Sequence, residues 1–230
     1  MSGKTIIVLS LVLCFVPMCS MRAALPSLPG AWVIPARALE EHAEDSIDVL
    51  TARRVDAAKM GRQTAQMEAM LNRLKMASNG NAEASRQASR AEECLKEMKE
   101  ALAGEAYVKA ALAANRITMV MLPIEGFPTP EHREVALLDC LSREITLLNE
   151  DDTSSRAPLL KERRDQIEAT WNLLRPWYAA KKGTRKLMAD VDACVARIIS
   201  ATGAEQQIAE GQRLGDLVDA MERYLPRMKG

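Results

Sequence analysis

Between residues 84 and 102 the chain sets Ala84, Ala88, Ala91, Leu95, Met98 and Leu102 at spacings of four, three, four, three and four. That alternation is the a/d pattern of helices packed side by side. Its first three members are alanines, which lets two helix axes approach closely. An earlier stripe, Leu39, Ala43, Ile47, Leu50, Ala57, Met60, Thr64, Met67, Leu71 and Leu74, recurs mostly at three and four residues. It predicts one helix of about forty residues, roughly 60 Å long at 1.5 Å per residue. Arg54 interrupts the apolar stripe and Gly61 follows Met60, so a bend or an exposed stretch is expected mid-helix. Asn79-Gly80-Asn81 ends it, and a second long helix runs from about Glu83, past Gly104, to about Val120. Together they predict a long, coiled-coil-like antiparallel hairpin over 36–120. The same seam would serve a second copy of the chain.

Three prolines punctuate 121–130, an apolar loop ending in Thr129 as N-cap and Pro130 at the first helical position. A helix from Pro130 to Asn149 follows, with Val135, Leu138, Leu141, Ile145 and Leu148 inward. After acidic Glu150, Asp151 and Asp152, another helix starts at Ala157-Pro158 and carries Leu160, Ile167, Trp171, Leu174 and Tyr178. Pro176 should kink it, and Lys182-Gly183-Thr184 ends it. Two more helices complete a shorter bundle over 131–230. One has Leu187, Val191, Cys194 and Ile198 in register and ends near Gly203; the other starts at Ala204 and presents Ile208, Leu214, Leu217, Met221 and Leu225. There is no strand alternation and no fixed-period repeat. Aromatic residues make up only 3% of the chain, which suits helix-on-helix contacts rather than a β core. The expected class is all-α.

Lys4 precedes an apolar run from Thr5 to Val16, the form of a secretory signal peptide at 1–20 with cleavage expected near Ser20 to Ala24. Val16-Pro17-Met18-Cys19 is a degenerate lipoprotein box, and an uncleaved anchor is the remaining option. The expected location is therefore exported, periplasmic or extracellular, with a membrane-anchored form facing the periplasm as the alternative. Residues 21–35 read as a proline-rich extended arm whose Trp32, Val33 and Ile34 either pack back on the body or dock on a partner.

Lys plus Arg and Asp plus Glu both number 31, so no bulk charge draws the chain to nucleic acid, which is not expected as a partner. Membrane contact is expected only through the N-terminus, if uncleaved or lipidated. Cys14 and Cys19 lie in the leader. Cys94, Cys140 and Cys194 lie in helices, as core thiols or as one disulfide plus one free thiol.

Chemistry has few bearers here. His42 and His132 are the whole imidazole supply. The segment Glu40-Glu41-His42-Ala43-Glu44-Asp45 lacks the Glu-x-x-His spacing of di-iron bundles, and acids in early helical turns are expected from the macrodipole. Gly203, Gly211 and Gly215 follow no strand, so no phosphate or dinucleotide loop is available. No catalytic residue, metal or cofactor is assigned; only carboxylates gathered by folding from distant helices would revive an enzyme reading. The contact candidates are Trp32, Trp171, Trp177, Tyr178, Lys181, Lys182, Arg185 and Lys186. The last four form the sharpest basic cluster, which cations near a helix C-terminus would also explain.

The architecture is similar, as architecture alone, to the exported helical minor subunits at the tips of conjugative type IV secretion pili. That similarity implies a non-enzymatic interaction or assembly protein of the bacterial envelope, meeting protein partners or itself. The alternative is a membrane-tethered periplasmic module holding a ligand near Trp171, Pro176 and Tyr178.

Overall fold

A computed structural model describes residues 30–52, 54–151 and 156–226. The expected signal peptide and its expected cleavage site, Cys14, Cys19 and residues 21–29 of the expected arm lie outside them. The described residues are all-α: α1 (Val33–Thr51), α2 (Ala57–Ala77), α3 (Ala82–Ala103), α4 (Tyr107–Met121), α5 (Pro130–Glu150), α6 (Arg156–Ala179), α7 (Arg185–Ser200) and α8 (Ala204–Glu222).

Two expected long helices are each two helices. The first ends at Thr51, after which Ala52 is extended, and a separate helix begins where the Asp56 carboxylate accepts the Lys59 N–H at 2.9 Å, capping α2. The chain then folds back, so that Ser46 Oγ of α1 lies 3.5 Å from Gln63 Oε1 of α2. Most of the apolar stripe survives this reversal because both helices present it to one core, with Leu39, Ala43, Ile47, Met67 and Leu74 all buried, but Ala57 at the start of α2 is exposed and Thr64 half-buried.

The second long helix ends at Ala103. Ala106 N–H reaches Ala101 O at 2.9 Å and Glu105 N–H reaches Leu102 O at 3.1 Å, a Schellman cap whose left-handed position is Glu105, φ +54°. Gly104 sits one residue early for that role, so the sequence conceals the stop. Arg116 of α4 then pairs with Glu97 of α3 at 2.8 Å across the reversed chain. At that register Met98 and Leu102 lie roughly level with Ala114 and Ala111, large opposite small.

The arm is also shorter than expected. Trp32 is the residue preceding α1, and Val33, Ile34 and Pro35 form its first turn. Pro35 is tolerated there because first-turn N–H groups have no intrahelical acceptor. Val33 packs against the 121–130 loop, where Gly126 at φ +66° would bring a Cβ within 3.3 Å of it. Arg37 Nε and Nη2 donate to the Glu125 and Gly126 carbonyls at 2.8 and 3.0 Å, tying that loop to α1.

Neighbouring helices pack α1–α2, α2–α3, α3–α4 and α4–α1, which closes a four-helix ring. The second half repeats the scheme with α5–α6, α6–α7, α7–α8 and α8–α5, and α4–α5 contacts join the two rings. α5, α6 and α8 start within about two residues of the expected positions, while α6 and α7 stop about three residues ahead of the expected end signals at Lys182 and Gly203. Pro176 lies inside α6, close to its end. Gly211 marks the tightest α5–α8 approach, for a Cβ there would lie 2.7 Å from Thr146 Oγ1 and 3.0 Å from Ser142 O. Tyr178, fully buried, crosses the second ring to donate its hydroxyl to Met221 O of α8 at 3.0 Å.

Candidate functional site

Folding does gather carboxylates from distant helices. Glu40 and Glu44 stand one turn apart on α1, as Asp139 and Arg143 do on α5, while Glu125 enters from the α4–α5 loop. Arg143 Nη2 pairs with Asp139 and, at 2.8 Å, with Glu44 Oε1. Arg143 Nε and Nη1 and Glu125 Oε1 are buried without a hydrogen-bond partner. Burial, reinforced by Glu40 and opposed by Arg37, pushes the Glu125 carboxyl up to about 8. Burial and the neighbouring Glu44, opposed by Arg143, push Glu40 up to about 7. Glu44 and Glu222 of α8 are raised as well, mainly by burial.

Carboxyls that titrate near neutrality can exchange protons, but general acid–base catalysis also needs a partner and a space for substrate. The adjoining groove, about 620 Å³ between α1, α5 and α8, presents Asp48, Asp139, Glu150, Asp216 and Asp219 around Arg143. It is acidic and holds no nucleophile paired with a base. His42, in the acidic segment of α1, contributes its carbonyl to Ser46 Oγ–H at 2.7 Å. Among the described residues no group of three or more His, Cys, Asp and Glu side chains could hold a metal ion. His132 is structural: its Nε2–H donates to Pro226 O at 2.9 Å, leaving Nδ1 to accept from Thr129 Oγ1–H at 3.0 Å.

The expected contact residues separate into two kinds. Trp171 is 3% exposed, with Nε1–H donating to Asp192 Oδ1 at 2.7 Å, and Tyr178 is wholly enclosed. As positioned here neither ring is offered to a partner, because a helix long enough to bury Ile167 and Leu174 also turns positions 171 and 178 inward. Trp177 is half-buried, edge-on to Tyr178, with Lys181 Nζ 4.0 Å from its ring centroid. Lys182, Arg185 and Lys186 are exposed beside it. Trp32 is half-buried over Gly30.

Cys94, Cys140 and Cys194 are free thiols, Cys94 half-buried and the others buried. Burial raises all three, Cys194 to about 12, so none is a ready thiolate. Glu125, Asp139, Arg143 and the enclosed Glu144–Arg163 pair, 2.8 Å apart, went unmarked in the sequence. One signal was present: Glu125 is the sole charge between Leu122 and Phe127. Comparison of the chain with protein-family models, curated proteins and solved structures finds no match.

Proposed function

We propose that the chain is an exported, non-enzymatic helical interaction or assembly protein of the bacterial cell envelope, of the kind a secretion or conjugation apparatus uses as a minor subunit. The observation that carries this reading is at one end of the first ring. Ile34 is 79% exposed and Met76 is 81% exposed. The α1–α2 register set by Ser46 and Gln63 puts both at the same end of an antiparallel pair, where Trp32 also lies. Large aliphatic side chains left in water together are what a protein partner would cover. The leader-like N-terminal run supports export, and the use of Trp171, Tyr178 and His132 in internal hydrogen bonds favours surface complementarity over chemistry.

The rival, a membrane-tethered module with a ligand near Trp171 and Tyr178, would require both rings to leave their core positions. No helix among the described residues is long and apolar enough to cross a membrane.

Cross-linking in intact cells tests the assembly reading, with a photoreactive residue at Met76 of the full chain. The expected result is an adduct with an envelope protein or a second copy that disappears with Ile34→Glu. Recovery of monomer alone would overturn it.

A further inference from the structure

The corner where α6 turns into α7 carries a cation cluster that the fold itself does not explain. Lys181, Lys182, Arg185 and Lys186 fall within six residues, and among the described residues none of them forms an ion pair. Cations just past a helix C-terminus complement its dipole, which accounts for Lys181 and Lys182 after α6. Arg185 and Lys186 are the opposite case, for they occupy the first turn of α7, which has no acidic residue. There the dipole's positive end and each other's charge both oppose them.

Next to these cations is apolar surface. Leu173 is 69% exposed and lies one turn before Trp177, on the same side of α6. Lys181, a further turn along, lies against the Trp177 ring. The corner is firmly held: the buried Thr184 hydroxyl bonds the Tyr178 and Lys181 carbonyls at 2.7 and 2.8 Å, and Tyr224 Oη–H reaches Gly183 O at 3.3 Å. Two acids lie near the cluster: Asp190, one turn on from Lys186 along α7, and Glu131 of α5, whose carboxyl is lowered chiefly by a Thr129 hydrogen bond and slightly by Lys181.

We propose that this α6–α7 corner docks on an anionic phospholipid bilayer, Leu173 and Trp177 entering the headgroup layer while Lys181, Lys182, Arg185 and Lys186 meet the phosphates. Charge complementarity selects an anionic occupant. The exposed leucine beside an interfacial tryptophan selects a bilayer over an acidic polypeptide, since only the bilayer offers apolar depth behind its charges. This contact is separate from the Ile34–Met76 end and does not depend on the assembly reading. It places a membrane surface in addition to any N-terminal anchor.

The test is sedimentation of the full chain with phosphatidylcholine vesicles, with and without one-third phosphatidylglycerol. Binding is expected only to the anionic vesicles, weakening as salt rises. Each cation removed should weaken it about fivefold. The variant Lys182→Glu, Arg185→Glu, Lys186→Glu should lose it while keeping its helical circular dichroism, since acids suit the first turn of α7. Leu173→Ser, at an exposed site, should weaken binding and leave its salt dependence intact.

Equal binding to neutral vesicles, or undiminished binding by the triple variant, would overturn the proposal, because an apolar N-terminus would give either result. No sedimentation with either vesicle would also overturn it. Capture by immobilised polyglutamate without vesicle binding would do the same, in favour of an acidic protein partner.

Discussion

The α1–α4 and α5–α8 rings share one antiparallel connectivity, but the first closes on Ala, Leu and Met whereas the second closes on aromatic rings and enclosed polar pairs. In the first ring Ala84, Ala88, Ala91, Ala110 and Ala114 are buried, and the Lys75–Glu92, Lys99–Glu68 and Arg116–Glu97 pairs lie at its exposed surface. In the second, Glu144 is 2% exposed against Arg163, and Trp171 and Tyr178 are hydrogen-bonded in the interior. Small side chains let helices approach evenly and leave ion pairs as surface decoration. Large rings with polar tips hold particular helices at particular heights. The first ring should therefore suffer most from added volume, and the second from deletion.

Tyr178→Ala should show the largest effect, a loss of about 3–5 kcal/mol of unfolding free energy in urea titration, since a fully buried ring leaves a cavity. Tyr178→Phe should lose about 1 kcal/mol by leaving the Met221 carbonyl without its donor. If Tyr178→Ala cost no more than Tyr178→Phe, the ring would not be what keys α6 to α8.

Ala88→Leu should come next in the first ring, at about 1–3 kcal/mol from overpacking a seam position only 1% exposed. A neutral or stabilising result would mean that α3 has room to spare, and the contrast between the rings would fail.

The remaining effect, read as a slope in pH rather than as a single loss, concerns the seam between them. Glu40 and Glu125 have folded pKa values above the ordinary 4.5, at about 7 and about 8. The folded chain thus keeps protons that the unfolded chain releases above pH 4.5, and stability falls as pH rises from there through about 8. The fall is up to about 1.4 kcal/mol per pH unit for each group held protonated. Arg37 and Arg143 oppose these shifts, whereas Glu44 and Asp139 reinforce them and Glu44 and Glu222, themselves raised, add to the slope. Glu125→Gln, uncharged at every pH, should flatten the upper part of the profile in urea midpoints measured from pH 5 to 9. An unchanged slope would show that the carboxyl is ionised at neutrality and that the seam is wetter than its burial implies.

Much of the fold was legible because helix periodicity is local. Position 130 as N1, the turn at 79–81 and the inward faces of α5, α6 and α7 follow from spacing, proline and capping chemistry within a few residues, whereas α8 buries Gln207, Gly211, Leu214, Val218 and Met221 and leaves the expected Ile208, Leu217 and Leu225 half-buried. The two missed reversals have local causes of a subtler kind. At 52–56 an aspartate cap replaces the expected bend, and at 104–106 a glutamate takes the left-handed position that glycine usually marks. Only Arg54, between Leu50 and Ala57, marks the first in the apolar stripe, and the three-and-four spacing resumes beyond it because a helix that folds back still buries much of the same stripe.

The candidate site was less legible. Glu40, Glu125 and Arg143 are ordinary charged residues in the sequence and become unusual only when three elements exclude water around them. Likewise Trp171 and Trp177 look alike in the chain, and helix phase separates them only once the core side of α6 is known. By itself the sequence determined that the chain is helical, where most of its helices start, and which faces are apolar, since these depend on backbone propensity and side-chain period. Only the tertiary structure decided that the eight helices of the described residues close into two rings, and which charges are buried and which rings remain exposed. Burial and electrostatic environment are set by residues that are far apart in sequence and share no local pattern.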